Sequence, residues 1–265
     1  MRSARRTPTQ HPYFDAPFIA MAHRGGALLP ANIGRENTVH AFAHARDLGY
    51  RYFETDVHVT SDGVLVAFHD DRLDRVTDRT GLIADLPWAE VRRARIGGQD
   101  PIPTLDELFE TFGEQRFNID IKAPGAVEPL AAVIRSHRAQ DRVCVGSFGV
   151  DRIRAFRRLM GTHVPTSLSQ VGVGWTRFVP ILPRFCPAPG AALQIPVRTE
   201  IGGRTVRLVT PRLLARAHAA GRQVHVWTID EPSEMHELLD LGVDGLISDR
   251  IDTLREVCQE RGHWH

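Results

Sequence analysis

The 265-residue sequence has few cysteines, no long apolar run and no excess of one charge, and each shortage excludes a class of protein. Cys144, Cys186 and Cys258 are widely spaced and form no CxxC pair, which favours reduced thiols over a disulfide framework or a zinc site. The basic N-terminus lacks the apolar core of a signal peptide, and no stretch approaches the ~20 apolar residues of a membrane span. The 33 basic and 32 acidic residues give no sign of a nucleic-acid partner. We therefore expect a cytoplasmic protein without a transmembrane segment.

Short apolar runs that predict β-strands alternate with amphipathic segments that predict helices. The predicted strands are residues 18–23, 52–59, 64–68, 117–122, 143–148, 165–169, 191–197, 223–229 and 245–250. Repeated β-then-α units imply parallel strands with crossover helices, and about eight such units fit a (β/α)₈ TIM barrel. A doubly wound open sheet is the alternative, but the phosphate-binding GxGxxG turn after the first strand is missing. We divide the chain into an N-terminal extension, 1–17, and a single barrel domain, 18–265.

Two regions interrupt this rhythm. Residues 71–103 are polar and predict a loop with a short helix around Leu86 to Ala94. Residues 171–190 are apolar and aromatic but contain four prolines, at 180, 183, 187 and 189. Because proline continues neither a helix nor a central strand, we expect 171–190 to be an irregular excursion on the surface.

Charged and polar side chains collect where the predicted strands end, which is where barrel enzymes keep their active groups. These residues are His23, Arg24, Glu54, Asp56, His69, Asp70, Asp120, Lys122 and Trp227. Glu54 and Asp56 alternate along one strand, so their side chains share a face. With Asp120 from the adjacent strand they offer the oxygen ligands that Mg²⁺ or Ca²⁺ requires. The sequence therefore predicts a site for one divalent cation.

The remaining groups suggest what such a site would do. Two histidines beside a metal suggest a general acid and a general base, and Arg24 with Lys122 would hold a phosphate. Together they predict hydrolysis of a phosphate ester. The alternative is a structural ion network of the carboxylates with Arg24 and Lys122, but three acids against two cations leave charge for a metal to balance. Trp227 either packs in the core or, as we predict, contacts the substrate.

Several motifs recur in the order of a known family. They are HRG (23–25), ENTVHAF (36–42), FETDVHVTSDGVLVAFHD (53–70), LDRVT (73–77), IPTLDEL (102–108), NIDIK (118–122), VWT (226–228) and DGLISDR (244–250). In these motifs the chain resembles the glycerophosphodiester phosphodiesterase family from about residue 18 to residue 258. The family pattern usually has Glu where this chain has Asp120, and the ten-residue loop between HRG and ENT is longer than usual.

The resemblance implies a (β/α)₈ barrel that hydrolyses deacylated phospholipids to sn-glycerol 3-phosphate and an alcohol through a cyclic phosphate. It implies that His23 and His69 are the acid–base pair and that Glu54 and Asp56 bind the metal. Arg24 and Lys122 would then contact the phosphate.

Two other functions stay open. A lysophospholipase D-like activity would use the apolar segment 171–190 to cover an acyl chain or to touch a membrane surface. A non-catalytic barrel would bind phosphodiesters without cleaving them. We interpret Glu36 and Asn37 as support for the start of the next helix, and Asp249 with Arg250 as a structural pair at a strand end.

Overall fold

The computed structural model describes residues 11–178 and 190–264, and its strands and helices alternate as predicted. The strands are β1 Ile19–His23, β2 Tyr52–Val59, β3 Leu65–Ala67, β4 Arg95–Ile96, β5 Asp100–Pro101, β6 Arg116–Ile121, β7 Val143–Gly146, β8 Ala192–Pro196, β9 Arg198–Ile201, β10 Arg204–Arg207, β11 Gln223–Trp227 and β12 Gly245–Ser248. The helices are α1 Val39–Asp47, α2 Trp88–Val91, α3 Leu105–Thr111, α4 Val127–Ser136, α5 Val150–Met160, α6 Gln170–Phe178, α7 Pro211–Ala219, α8 Pro232–Leu241 and α9 Ile251–Glu260. Cys186 lies outside the described residues.

Parallel strands form a nearly closed barrel, which confirms the predicted fold class. Within the described part of the chain, the strand order around it is β7, β6, β2, β1, β12, β11 and β8. Of the strands in the described residues, the first pairs with the last, with Ile19 opposite Gly245, so segments far apart in sequence meet in one sheet. The remaining gap, between β7 and β8, is crossed by single parallel bridges from Thr166 to Val145 and from Ser167 to Ala192. The predicted strand at 165–169 is thus reduced to two bridges.

Local sequence explains where the helices begin. The hydroxyl groups of Thr38, Thr104 and Thr210 each accept a hydrogen bond from a backbone N–H in the first turn of the helix that follows. Each of these caps satisfies one of the donors that a helix start leaves unpaired. The apolar faces of the helices then pack on the outside of the barrel, around buried residues such as Phe42 and Phe117.

The lower end of the barrel, where the strands begin, is filled by aromatic side chains. Tyr13 and Phe14 are buried there with Ile19, Tyr52 and Ile247. The Tyr52 hydroxyl donates a hydrogen bond to the backbone oxygen of Tyr13 at 2.7 Å. The described part of the predicted N-terminal extension therefore packs into the barrel as part of its interior.

Besides the segment 165–169, three more elements differ from the predictions, each for a local reason. Strand β3 pairs antiparallel with β2, because the Ser61–Gly63 turn folds the chain straight back, so β3 is not a barrel strand. Helix α6 occupies the first half of the predicted excursion 171–190, since all four prolines lie beyond its end at Phe178. Residues 179–189 of that segment lie outside the described residues.

The third difference is an antiparallel hairpin of β9 and β10, which the sequence patterns did not reveal. It follows directly after β8, at the upper end of the barrel, and its turn is formed by Gly202 and Gly203.

None of the helices in the described ranges is long and apolar enough to cross a membrane.

Candidate active site

A cavity of about 660 Å³ opens at the upper end of the barrel, where the parallel strands finish. Its walls bring together eight of the nine strand-end residues that the sequence predicted to meet: His23, Arg24, Glu54, Asp56, His69, Asp120, Lys122 and Trp227. The ninth, Asp70, does not line the cavity but contacts the ring of His69. The individual roles of these residues stay predictions.

His23 ends β1 and lies between two carboxylates. Its Nδ1 donates to Oδ1 of Asp249 at 2.9 Å, and its Nε2 is 3.7 Å from Oε2 of Glu54. Burial would lower the pKa of this imidazole, but the carboxylates of Glu54 and Asp249 outweigh burial and raise it. Because Asp249 accepts the hydrogen bond of Nδ1–H, Nε2 is the ring nitrogen that can exchange a proton in the pocket.

His69 follows β3 and has a carboxylate partner of its own. Its Nδ1 lies 2.6 Å from Oδ1 of Asp70, the next residue in the chain. His58 is buried below it, with Nε2 3.1 Å from the backbone oxygen of His69. Hydrogen bonds from Arg75, together with His69, lower the pKa of Asp70 to about 2. Asp70 is therefore a fixed anion that orients the His69 ring.

Adjacent strands set the carboxylates side by side. Asp56 on β2 lies opposite Asp120 on β6, and Lys122 follows directly after β6. The Lys122 ammonium group is 2.9 Å from Oδ1 of Asp56 and 2.7 Å from Oδ2 of Asp120. Arg24 approaches the second oxygen of Asp56, with its Nε 3.3 Å from Oδ2. Burial alone would raise the pKa of Asp56, but Lys122 and Arg24 lower it, so Asp56 stays ionised.

Glu54 lies two residues before Asp56 on the same face of β2, and its pKa shifts in the opposite direction although both side chains are buried. Burial, and next the negative charge of Asp56, raise the pKa of Glu54 to about 7. Its Oε2 accepts a hydrogen bond from the backbone N–H of Arg24 at 3.3 Å. A carboxyl group in this position needs added positive charge to ionise fully near neutral pH.

The three carboxylates can be judged as a metal site on these contacts. Within 11–178 and 190–264, no group of three or more His, Cys, Asp or Glu side chains is arranged to hold a metal ion, and the Lys122 ammonium lies between Asp56 and Asp120. However, Oδ1 of Asp120 is buried without a hydrogen-bond partner, and Glu54 carries a raised pKa. This all-oxygen donor set fits a hard divalent cation in its chemistry, and metal binding stays a prediction.

The HRG turn that carries Arg24 is shaped by its backbone. Arg24 has a φ of 49°, in the left-handed region that non-glycine residues rarely adopt, and Gly25 follows with a φ of 84°. A Cβ atom on Gly25 would lie 2.8 Å from Cβ of Ala41 in α1, so only glycine fits. The Arg24 backbone oxygen accepts from the N–H of Asn37, whose side-chain amide donates to Asp56 at 3.2 Å.

The opposite side of the pocket is largely apolar. Phe148, after β7, packs edge-on against Trp227, with 5.7 Å between the two ring centroids. The Phe148 ring is half exposed. Beyond this pair, α6, β8, β9 and the segments beside them add the apolar lining residues Leu168, Val173, Phe178, Ile195, Ile201 and Leu208. The polar residues Gln170, Gln194 and Glu200 also line this side. The cavity therefore has a charged end at β1, β2 and β6 and an apolar end at β8 and α6.

Three residues that organise the charged end were not predicted as members of the site: Asp249, Glu36 and Arg75. Asp249 bonds to His23, and Arg75 bonds to Glu36 and to Asp70. The interpretation of Asp249 as part of a structural strand-end pair omits its contact with His23, and Thr38, rather than Glu36, caps α1. A signal was present, since Asp249 follows β12 at the same barrel end, and Glu36 and Arg75 lie in motifs of the family pattern.

Comparisons with known proteins find similar chains over nearly the whole length of this one. The Glycerophosphoryl diester phosphodiesterase family matches residues 23–253. A curated protein of Mycobacterium tuberculosis, "Probable glycerophosphodiester phosphodiesterase 2", is 43% identical, over 93% of this chain and 92% of its own. The "Lysophospholipase D GDPD1" of Rattus norvegicus is 28% identical, over 89% of this chain and 84% of its own.

A solved structure gives the same fold. The phosphodiesterase of Oleispira antarctica in complex with the product sn-glycerol-3-phosphate superposes with a TM-score of 0.78 and 25% identity. The match covers 94% of this chain and 100% of that one. That protein has the whole barrel in common with this chain.

Proposed function

This chain belongs to the glycerophosphoryl diester phosphodiesterase family and is a glycerophosphodiester phosphodiesterase, and we propose that His23 and His69 are the acid–base pair of a metal-dependent hydrolysis that yields sn-glycerol 3-phosphate and an alcohol. One observation carries this proposal. Two imidazoles, each fixed at Nδ1 by its own carboxylate, line one cavity with Arg24 and Lys122. That arrangement leaves the second nitrogen of each ring for proton transfer.

The reaction we propose passes through a cyclic phosphate. A glycerol hydroxyl of the substrate attacks phosphorus while one histidine takes its proton, and the bond from phosphorus to the alcohol breaks. The other histidine gives its proton to the departing alcohol, so the first step leaves both rings with exchanged protonation states. Water then opens the cyclic phosphate with the two roles reversed, which restores the enzyme.

The cations of the site suit the charge that develops on phosphorus. Arg24 and Lys122 present a guanidinium and an ammonium group to the phosphoryl oxygens, as phosphate sites commonly do. Glu54, Asp56 and Asp120 would hold one Mg²⁺ or Ca²⁺, which when bound supplies further positive charge at those oxygens. Charge in a pocket of low dielectric acts more strongly than in water.

The direct test is an assay of the purified protein on glycerophosphocholine. We expect release of sn-glycerol 3-phosphate and choline, loss of that activity in EDTA, and its return on adding Mg²⁺ or Ca²⁺. Activity that survives complete chelation would contradict the metal requirement but not the acid–base assignment, which depends on the histidine variants.

The apolar end of the pocket favours a second candidate substrate. Val173, Phe178 and Ile201 provide a hydrocarbon surface that glycerol and a small head group do not need, and an acyl chain would bury that surface favourably. We therefore propose lysophospholipids as additional substrates. Peripheral contact of α6 with a lipid surface would accompany this, since Val171 and Trp175 are exposed beside the mouth. A panel of diacylated, lyso and deacylated substrates decides between the candidates.

The phosphodiester-binding barrel without catalysis is not favoured by any contact described above. We also propose a cytoplasmic location, which is supported by the buried, unpaired thiols of Cys144 and Cys258. Fractionation of cells that express the tagged protein would test the location.

A further inference from the structure

Arg75, in the LDRVT segment, is bonded to two carboxylates at once. Its Nε donates to Oδ2 of Asp70 at 2.6 Å and its Nη2 to Oδ1 at 3.1 Å. On the other side, Nη1 donates to Oε2 of Glu36 at 3.0 Å and Nη2 to Oε1 at 2.7 Å. One guanidinium group thus clamps two side chains, 34 positions apart in sequence, in bidentate geometry.

Each clamped carboxylate touches a residue of the proposed machinery. Asp70 lies 2.6 Å from Nδ1 of His69. Glu36 accepts a hydrogen bond from Nη1 of Arg24 at 3.1 Å. Arg75 is therefore linked through one intervening carboxylate to His69 and through another to Arg24. It is not itself among the residues that line the pocket.

A purely structural role explains this arrangement poorly. The Arg75 side chain is 48% exposed, so water partly screens its ion pairs, although the side chain of its partner Glu36 is only 15% exposed. The segment after β3, which carries Arg75, has its own apolar core, which includes Phe68, Leu73 and Ile83. The fold of this segment therefore does not depend on the contacts of Arg75, whereas the orientation of Asp70 and Glu36 does.

We propose that Arg75 is a positioning residue that orients His69 through Asp70 and Arg24 through Glu36. This inference rests on the proposed function, because it assigns His69 to proton transfer and Arg24 to phosphate binding. Without Arg75, Asp70 can rotate away from the His69 ring, and Glu36 is left with Arg24 as its only described cationic partner. The first change slows proton transfer, and the second pulls Arg24 away from the phosphate.

The test is a pair of double-mutant cycles on kcat and on the Kd for sn-glycerol 3-phosphate. We expect Arg75→Ala to lower kcat by about 10- to 100-fold, the usual scale for losing a residue that orients an active group, and to raise the Kd, with an unchanged melting temperature. In an Asp70→Asn background, Arg75→Ala should no longer lower kcat but should still raise the Kd. In a Glu36→Gln background, it should lower kcat and leave the Kd unchanged.

The matched control is Arg72→Ala, because Arg72 lies in the same segment, has a side chain that is 49% exposed and forms an ion pair with Asp74 rather than with a residue of the site. It should keep both parameters within about twofold, as surface substitutions do. The inference would be overturned if Arg75→Ala lowered kcat and raised the Kd by the same factors in the Asp70→Asn and Glu36→Gln backgrounds as in the wild-type protein. Normal kcat in His69→Ala would instead refute the proposed function, so the two failures are distinguishable.

Discussion

Oδ1 of Asp249 accepts a hydrogen bond from Nδ1 of His23 at 2.9 Å, across 226 positions of sequence. The partner fixes the tautomer and the direction of the ring and stabilises its protonated form. We expect Asp249→Asn to lower kcat by at least ~10-fold, because an amide partner favours the wrong tautomer. Steady-state kinetics on glycerophosphocholine would measure it. Asp252→Asn, two residues into α9 and paired with Arg250, is the control and should stay near wild type.

Replacing the histidines themselves should have the larger effect. We expect His23→Ala and His69→Ala each to lower kcat by at least ~100-fold, the scale of a positioned proton-transfer group, with little change in thermal stability. His236→Ala, at a partly exposed histidine that pairs with Glu260 away from the pocket, serves as the control. Near wild-type turnover in either pocket variant would remove that residue from the acid–base pair.

Asp120 is the test of the metal site. Asp120→Asn removes one negative charge from the donor set, so we expect the metal concentration for half-maximal activity to rise by at least ~10-fold, about 1.4 kcal/mol. Asp120→Glu should keep measurable activity because it preserves the carboxylate. Titration of EDTA-treated enzyme with Mg²⁺ and with Ca²⁺ measures the requirement. An unchanged requirement in Asp120→Asn would exclude Asp120 as a direct ligand.

The apolar end of the pocket can be tested on one helix. Phe178 lines the cavity, whereas Val171, on the same helix α6, is exposed but outside the lining. If the wall contacts an acyl chain, Phe178→Ala should reduce kcat/KM for lysophosphatidylcholine by about 10-fold, since burying such a ring contributes about 1.5–3 kcal/mol. It should change the value for glycerophosphocholine by less than about twofold. Equal losses on both substrates would make Phe178 a packing residue.

Glu54 predicts a pH-dependent stability in the metal-free protein. Its pKa is raised to about 7 in the folded protein, so between about pH 4.5 and pH 7 the folded state binds more protons than the unfolded state. Its contribution to stability is therefore present at low pH and is lost as pH rises. Glu54→Gln, which mimics the protonated acid, should melt above wild type at pH 8 in EDTA and close to it at pH 5. A gap that widens towards pH 5 would contradict this.

The barrel and its active end could be predicted because both depend on periodic patterns. Glu54 and Asp56 share a face in any strand, and parallel strands end together, so the charged residues had to meet. The hairpin of β9 and β10 was missed because its strands are short and mostly exposed, although Gly202-Gly203 is a turn signal. Helix α6 was not predicted because the four prolines that follow it dominate the composition of the segment 171–190.

Partners that meet only in the folded chain could not be predicted in the same way. The sequence places Asp249 at a strand end, but whether Asp249 pairs with His23 or with the neighbouring Arg250 depends on how β1 lies against β12. Arg75 likewise reaches Glu36 only because the segment after β3 folds back over the HRG loop. Sequence periodicity assigns residues to faces and ends of elements, whereas these contacts depend on the paths of loops.

The pairing of β1 with β12 has a kinetic consequence. Contacts between the two ends of a chain are the costliest to close, so this seam is expected to form late in folding. Asp249 arrives with that seam, so a growing or refolding chain can have most of its helices and strands while His23 still lacks its partner. Recovery of turnover during refolding therefore reports the pairing of β1 with β12, whereas recovery of helical content does not.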